Sequence, residues 1–298
     1  MTALNSDVRR ERAHAHRNMT LSRWRYYVSS VPMLFLGIRD WTTMLRTFLG
    51  LPLRRPIEIE LRNGQRYKVR TRLDIWVLKE ACLDRQYAAA SVEIEDGWNV
   101  IDVGAGIGDF AISTACSNPH AYVAAYEPFP DSFALLQENV KLNRRDNVRA
   151  LPLAIGEEKG TLRLFAASGE AVQQSALTAA PQDGVQVECI TLDDAIAALE
   201  PRLCDYMKMD CEGAEFGILF HASPATLAKI RHVCLEYHDD VTPYTHLDLA
   251  SFFERNGFSV RVSPSPAHWQ WGLLHASNER LKTQSNAGEN GSAASASQ

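Results

Sequence analysis

The chain has 298 residues, of which 46% are hydrophobic and 22% are charged, and its formal net charge at pH 7 is −5. This composition is typical of a globular protein that can bury a substantial core, and the acidic balance argues against a general nucleic-acid binder. The six cysteines form no CxxC pair and no zinc-ligand spacing, which predicts buried thiols in a reducing compartment.

The first part of the chain, residues 1–53, is a basic arm. Residues 1–55 contain ten arginines, no lysine and three acids, a local net charge of +7 that leaves −12 for the remainder. Residues 1–20 are polar and are expected to be loose. From Val31 to Leu49 the spacing predicts one amphipathic helix. Its apolar positions are Leu34, Ile38, Trp41, Leu45 and Phe48, and the opposite face includes Arg39, Asp40, Arg46 and Thr47.

Two interpretations of this helix stay open. It packs on the main domain, or it lies on an anionic membrane surface, for which arginines opposite Trp, Phe and Leu are typical. The sequence has no apolar run long enough to span a bilayer, and a signal peptide is not indicated. We therefore expect a cytoplasmic protein, with peripheral contact at the inner face of a membrane as the second interpretation.

Residues 54–97 predict a strand-rich segment that leads into the core. In "IEIELRNGQRYKVR" apolar and polar residues alternate around Asn63-Gly64, which is a strong hairpin signal. The next stretch, "DIWVLKEACL", returns to helical spacing.

Residues 98–278 alternate between strand and helix patterns. Strands are predicted at "NVIDVG", "AYVAAYE", "VRALPLAI", "YMKMD" and "HVCLEYH", and helices at "FAISTAC", "DSFALLQENVKLN", "EFGILFHA" and "LDLASFFERNGF". "FSVRVS" and "WQWGLLHA" predict a closing antiparallel pair. The pattern predicts a mostly parallel seven-stranded α/β sheet with helices on both faces and ligands at the carboxyl ends of its strands. Residues 279–298 lack large apolar residues, apart from Leu281, and are expected to be disordered.

A glycine-rich turn in "VIDVGAGIGDFAIST" marks a candidate nucleotide site. Asp102 ends the strand and Gly104, Gly106 and Gly108 follow at alternate positions. The spacing differs from the G-x-G-x-x-G of dinucleotide sites, and no G-K-[ST] follows. Asp102 suits a cationic ligand group, and Glu127, at the end of the next strand, can accept both hydroxyls of a ribose. A cationic amino-acid portion and a ribose without a pyrophosphate describe S-adenosylmethionine.

At this point the chain resembles the FkbM-type methyltransferases. The motifs that carry the resemblance are "VIDVGAGIGDFAI", "AYEPFPDSFALLQENVKLN", "ITLDDAI", "YMKMDCEGAEFGIL" and "IRHVCLEYH", which run from Trp98 to His238. The segment from Arg54 to Tyr87 is also similar to upstream regions in that family. The resemblance implies a class I (Rossmann-like) methyltransferase fold, S-adenosylmethionine as donor, and transfer mostly to hydroxyl oxygens of secondary metabolites or sugars.

The resemblance also implies a set of donor-binding residues. Asp102 and the glycines would line the methionine end, and Glu127 would hold the ribose. The adenine would lie against Phe129 and in a slot formed by Ala154 and Ile155, for which ordinary core packing is the alternative. The full set is Asp102, Gly104, Ala105, Gly106, Gly108, Glu127, Phe129, Ala154 and Ile155. One departure is Ala105-Gly106, where the family often has Ala-Asn.

Acids and a histidine at two further strand ends are the candidates for chemistry. An aliphatic hydroxyl has a pKa of roughly 15 to 16 and is a poor nucleophile until it loses its proton. His238 is a candidate general base, or Asp210, Glu236 and His238 together bind a divalent metal. In the third interpretation Glu236 and His238 are structural and Lys208 neutralises Asp210.

The predicted function is O-methylation of a hydroxyl on a small metabolite, sugar or glycan. Methylation of nitrogen or of RNA ribose is one alternative, although the acidic main domain argues against RNA. A non-catalytic nucleotide-binding or scaffold protein with a methyltransferase fold is the other. We expect residues 1–90 and the segment from Ser168 to Gly184 to form the acceptor pocket.

Overall fold

A computed structural model describes residues 22–53, 56–89, 92–166, 173–174, 184–199 and 201–281. The segments predicted to be loose or disordered at the two ends lie largely outside these ranges. So does most of the segment from Ser168 to Gly184 that was expected to contribute to the acceptor pocket.

Two helices precede the first hairpin, so the prediction of a single helix from Val31 to Leu49 is wrong. Helix α1 covers residues 22–37 and α2 is Trp41–Phe48. The helix is interrupted because Ile38 forms an antiparallel bridge with Leu61 and the Arg39 N–H donates to the carbonyl of Glu60 at 2.8 Å. The Gly37 carbonyl also accepts the Arg62 N–H at 2.8 Å, so the Arg39 N–H and this carbonyl pair with the hairpin and do not continue the helical hydrogen bonds.

The interruption also rotates the predicted apolar stripe. Leu34 and Ile38 are buried as expected, but Trp41 and Leu45 are 43% and 38% exposed. Thr47, expected on the polar face, is buried. Part of the stripe therefore packs on the protein, and part of it faces solvent.

The segment after α2 contains the predicted hairpin and helix. Strands β1 (Ile57–Glu60) and β2 (Arg66–Val69) pair antiparallel, with Gly64 at a φ of +88° in the turn. Helix α3 (Arg72–Leu78) starts in a capping box at Thr71 and continues as a π-helical turn, Lys79–Leu83, before the short helix α4, Gln86–Ala89.

The remaining elements, in chain order, are β3 Asn99–Val103, α5 Asp109–Ser117, β4 Tyr122–Tyr126, α6 Pro130–Leu142, β5 Val148–Leu151, β6 Ala154–Gly156, β7 Gly160–Ala166, β8 Gln173–Gln174, β9 Val185–Thr191, α7 Leu192–Ala197, β10 Cys204–Met209, α8 Glu215–Phe220, α9 Pro224–Leu227, β11 Ile230–His238, α10 His246–Arg255, β12 Phe258–Pro264 and β13 Trp271–Asn278.

The central sheet has seven strands in the order β12-β13-β11-β10-β3-β4-β5. The pairs from β11 to β5 are parallel, and β13 runs antiparallel to both β11 and β12. This is the predicted mostly parallel sheet with its closing antiparallel pair. The carboxyl ends of β3, β4, β10 and β11 meet at one edge, where the chain changes direction from β3–β4 to β10–β11.

A separate four-stranded sheet, ordered β6-β9-β7-β8, was not predicted. "VRALPLAI", predicted as one strand, is divided at Pro152 and Leu153 into β5 and β6, which belong to different sheets. Proline has no N–H to donate to a ladder, so a strand readily ends at that position.

Candidate active site

The loop after β3 requires glycine because two strands approach closely there. Gly104, Gly106 and Gly108 have φ angles of +74°, +54° and +89°. A Cβ on Gly104 would lie 2.0 Å from the carbonyl oxygen of Asp210, at the end of the neighbouring strand. The glycines thus allow the loop to lie against the residue that follows β10.

Glu127 holds this loop in place from the end of β4. Its Oε2 accepts the Gly106 N–H at 2.8 Å and its Oε1 accepts the Phe129 N–H at 2.8 Å. The side chain is 1% exposed, and burial raises the pKa of Glu127 to about 7 although both main-chain donors oppose that shift. A carboxylate has about four acceptor positions, so the two that remain are available to hydroxyls of a ligand.

A buried ion pair supports the loop from behind. The Lys208 Nζ lies 3.1 Å from Oδ1 of Asp102 and donates to the Gly104 carbonyl at 2.7 Å. Asp102 and Lys208 occupy facing positions in the register of β3 and β10. Burial raises the pKa of Asp102, and Lys208 opposes this. Lys208 therefore pairs with Asp102, whereas the third interpretation had it neutralise Asp210, whose charge still acts on Lys208.

A cavity of about 690 Å³ opens at this edge of the sheet. Its walls come from the glycine loop, the ends of β4, β10 and β11, α1, α3 and the connection between β12 and β13. A volume of this size suits a small-molecule site.

The structure divides the predicted donor-binding residues into two groups. Gly104, Gly106, Glu127 and Phe129 line the cavity. Asp102, Ala105, Gly108, Ala154 and Ile155 do not form part of that wall, and all five are buried. Gly108 allows close packing, since a Cβ there would lie 2.6 Å from Leu136 in α6, and Ile155 packs in the core near Tyr126.

The predicted chemical residues converge in the same cavity. Asp210, Glu236 and His238 each offer a ligand atom, and these atoms lie within 4.8 Å of one another. The Tyr87 hydroxyl donates to Oδ2 of Asp210 at 3.1 Å. Two carboxylates and one imidazole fit a divalent cation, since hard cations take oxygen ligands and imidazole suits Mn²⁺ and Zn²⁺.

The pKa of His238 differs from the ordinary value for histidine because acids lie around its ring. Its Nδ1 lies 3.6 Å from Oε1 of Glu215 and its Nε2 lies 3.5 Å from Oε2 of Glu212. Burial lowers the pKa of His238, but the charges of Glu215, Asp210 and Glu236 outweigh it and raise the pKa to about 10. With this pKa and no other positive charge nearby, the ring would hold a proton at neutral pH, which argues against the prediction that it is a general base.

Other cavity residues were not identified from the sequence. Tyr26 and Tyr27 reach the cavity from α1, and Trp76 and Glu80 reach it from α3 and the turn that follows. The aromatic run "WRYYV" in a basic arm was the available signal, but its position against α3 depends on tertiary packing.

Comparison with known proteins also indicates a methyltransferase. The family described as "Methyltransferase FkbM domain" matches residues 102–260. The 31-O-demethyl-FK506 methyltransferase FkbM of Streptomyces tacrolimicus is 28% identical over 221 residues, which cover 64% of this chain and 84% of the relative. The hexuronic acid methyltransferase AglP of Haloferax volcanii is 26% identical over 208 residues, which cover 69% and 82%.

A solved structure of the methyltransferase FkbM from Methylobacillus flagellatus KT is also similar. It has a TM-score of 0.44 and 15% sequence identity, and the match covers 68% of this chain and 53% of that chain.

Proposed function

This chain belongs to the FkbM methyltransferase family and is an S-adenosylmethionine-dependent methyltransferase, and we propose that it methylates a hydroxyl oxygen of a small metabolite, sugar or glycan. The convergence of Asp210, Glu236 and His238 beside the glycine loop carries this proposal. The printed name of one relative, a 31-O-demethyl-FK506 methyltransferase, supports a hydroxyl oxygen as the acceptor atom, and that of another, a hexuronic acid methyltransferase, supports the sugar class without fixing its charge.

The donor occupies the part of the cavity at β3 and β4. Gly104 and Gly106 present backbone to the methionine portion. A Cβ on Gly106 would have only the Asp109 carboxylate within 4 Å and would project into that space, whereas the absence of a Cβ on Gly104 lets the loop lie against Asp210. Glu127 accepts hydrogen bonds from the two ribose hydroxyls, and Phe129 packs against the adenine.

The acceptor hydroxyl lies near the ends of β10 and β11. Asp210, Glu236 and His238 would hold a divalent cation, which when bound would lower the pKa of a nearby hydroxyl. Glu212 lies in the same wall, and burial raises its pKa to about 7. Its Oε2 lies 3.5 Å from Nε2 of His238, so this carboxylate lies where it could take the hydroxyl proton of an acceptor in the cavity.

Transfer from labelled S-adenosylmethionine to hydroxylated acceptors tests the proposal. Exhaustive chelation should remove activity, and Mn²⁺ or Mg²⁺ should restore it. Asp210→Asn and Glu236→Gln should lose activity, while Glu254→Gln, an exposed acid on α10, serves as the matched control. Activity that survives chelation would show that the reaction does not need a divalent cation. Failure to bind the donor would favour a non-catalytic scaffold role.

Contact with an anionic membrane through residues 1–53 is a second proposal. Trp24, Val28, Val31, Leu36 and Leu49 are 66%, 59%, 50%, 69% and 65% exposed. Residues 1–55, which include this region, carry a local charge of +7, and a basic residue near an anionic surface contributes about 1 kcal/mol. Among the described helices, none has the length and apolar content that crossing a bilayer requires.

Vesicle co-sedimentation of the full chain tests this contact. The protein should pellet with anionic vesicles at low salt, and it should stay in solution with neutral ones. Leu36→Glu should weaken the attachment, while Leu247→Glu, at a residue on α10 that is 65% exposed, should not. Equal attachment of the two variants to anionic vesicles would contradict the proposal that the exposed face of α1 that includes Leu36 contacts the membrane.

A further inference from the structure

An aromatic cluster forms one wall of the cavity beside the chemical residues. Tyr26 and Tyr27 of α1 pack on Trp76 of α3, with ring centroids 5.9 Å and 5.3 Å from the indole. All three side chains line the cavity and are only partly buried. They present apolar ring surface that no other part of the mechanism uses.

Glu80 fixes the polar edge of this cluster. Its Oε1 accepts the Tyr26 hydroxyl at 2.5 Å and the Trp76 Nε1–H at 2.9 Å. Lys79 adds a cation over the ring of Tyr26, with its Nζ 4.2 Å from the centroid. The rings are therefore held in one arrangement, and a carboxylate lies beside them in the cavity wall.

A second aromatic part of the wall comes from the connection between β12 and β13. His268 stacks on Trp271 with centroids 4.3 Å apart, and the Trp271 ring lies 5.5 Å from His238. The Ser22 hydroxyl donates to the carbonyl of Pro266 at 2.9 Å. Helix α1 and this connection are thus joined at the same cavity.

The charge of the wall restricts the acceptor. Among the described residues, eight carboxylate side chains line the cavity, against two from lysine or arginine. The two cations are Arg70, paired with Asp74, and Lys208, paired with Asp102. Asp84 pairs with Lys79 beside the wall, and burial raises the pKa of Asp109, Glu127, Glu212 and Glu236, so the wall carries fewer negative charges than it has carboxyl groups. A divalent cation would offset two of these charges. The carboxyl groups still outnumber the lysine and arginine side chains of the wall, so an acceptor with a carboxylate or phosphate group would be disfavoured.

We infer that the acceptor is an uncharged pyranoside whose ring packs on Tyr26, Tyr27 and Trp76 while Glu80 accepts one of its hydroxyls. A pyranoside ring has C–H faces that pack on aromatic surface and hydroxyls that pair with carboxylates, which is the combination that this wall offers. The inference rests on the proposed hydroxyl methylation. In that reaction the acceptor oxygen bonds to the methyl carbon, the C–S bond breaks, the hydroxyl proton goes to a carboxylate, and S-adenosylhomocysteine leaves.

A panel of acceptors tests the charge preference. The full chain is incubated with labelled donor and with methyl glycosides of glucose, galactose, mannose and rhamnose, with the matching glucuronoside and galacturonoside, and with catechol. We expect transfer to at least one neutral glycoside and at least about tenfold slower transfer to the uronosides. Equal rates for uronosides, or transfer to catechol alone, overturn the inference and leave hydroxyl methylation standing.

A variant pair tests the aromatic wall. Trp76→Leu should raise the KM for the pyranoside at least about tenfold and leave the Kd for S-adenosylhomocysteine unchanged, and Trp76→Phe should restore most of the affinity. Trp24→Leu, at a residue 66% exposed on α1, is the matched control. An unchanged KM in folded Trp76→Leu overturns the inference.

Saturation-transfer NMR measures pyranoside binding without turnover. Ring protons of a neutral glycoside should receive saturation from the protein bound to S-adenosylhomocysteine, and Trp76→Leu should remove the signal. If no acceptor in the panel is methylated but this signal is present, the proposed reaction fails and the binding site stands. Absence of the signal for every neutral glycoside overturns the inference.

Discussion

Glu127 gives the sharpest test of the donor site because its charge controls what it can bind. Burial raises the pKa of Glu127 to about 7, and ribose hydroxyls bind best to the ionised carboxylate. A group with this pKa is roughly one-tenth ionised at pH 6 and roughly nine-tenths ionised at pH 8. Only the ionised fraction binds well, so affinity should rise about tenfold over this interval.

The direction of the pH dependence follows from whether the free enzyme or the donor complex holds the proton on Glu127. The free enzyme binds a proton at Glu127 below about pH 7, and donor binding releases that proton. Acidification therefore weakens donor binding, and alkaline pH strengthens it until the carboxylate is fully ionised. Calorimetry in buffers of different ionisation enthalpy should detect proton release at the lower pH.

Glu127→Gln removes the charge and keeps the size of the side chain. We expect at least about tenfold weaker binding at pH 8, about 1.4 kcal/mol, and little dependence on pH. Glu127→Ala should weaken binding at least as much, since the N–H groups of Gly106 and Phe129 also lose their acceptor. 5′-Methylthioadenosine, which has the ribose without the amino-acid portion, checks that the effect arises at the ribose. An unchanged Kd, or the same pH profile in Glu127→Gln, would refute the assignment.

Three further variants test other parts of the site. Gly106→Val should weaken donor binding at least as much as Glu127→Ala, because a branched side chain is strained at a φ of +54° and would project where the methionine portion passes; calorimetry giving a wild-type Kd would contradict this. Lys208→Met should lower the free energy of unfolding by about 3–5 kcal/mol, since Asp102 stays buried without its partner. Urea denaturation should find much of that loss recovered in the double variant with Asp102→Asn, and a fully stable single variant would refute the pairing. His238→Ala should lower turnover ~10²-fold with donor affinity nearly unchanged, because the proposed cation would lose one of its three ligands, and unaltered turnover would remove His238 from the mechanism.

The sequence was sufficient to predict the central sheet and the position of the site. Strand and helix patterns depend on the spacing of apolar residues within one segment, so they can be identified without knowing what each segment contacts. The acids of "AAYEPFP", "KMDCEGAE" and "LEYHDD" follow parallel strands, and the ends of such strands meet at one edge. This made the convergence of Asp210, Glu236 and His238 predictable.

Tertiary packing decided which of these residues contact one another. The ion pair of Lys208 with Asp102 depends on the register between β3 and β10, which are separated by about 100 residues in the chain. The interruption of the first helix depends on Ile38 pairing with Leu61, and the aromatic wall depends on α1 packing against α3. The raised pKa of His238 likewise requires Asp210 and Glu215, which follow β10, to lie close to a ring at the end of β11. Pairing, burial and electrostatic energies act between side chains that are close in space, and local sequence patterns do not specify which distant segments those side chains belong to.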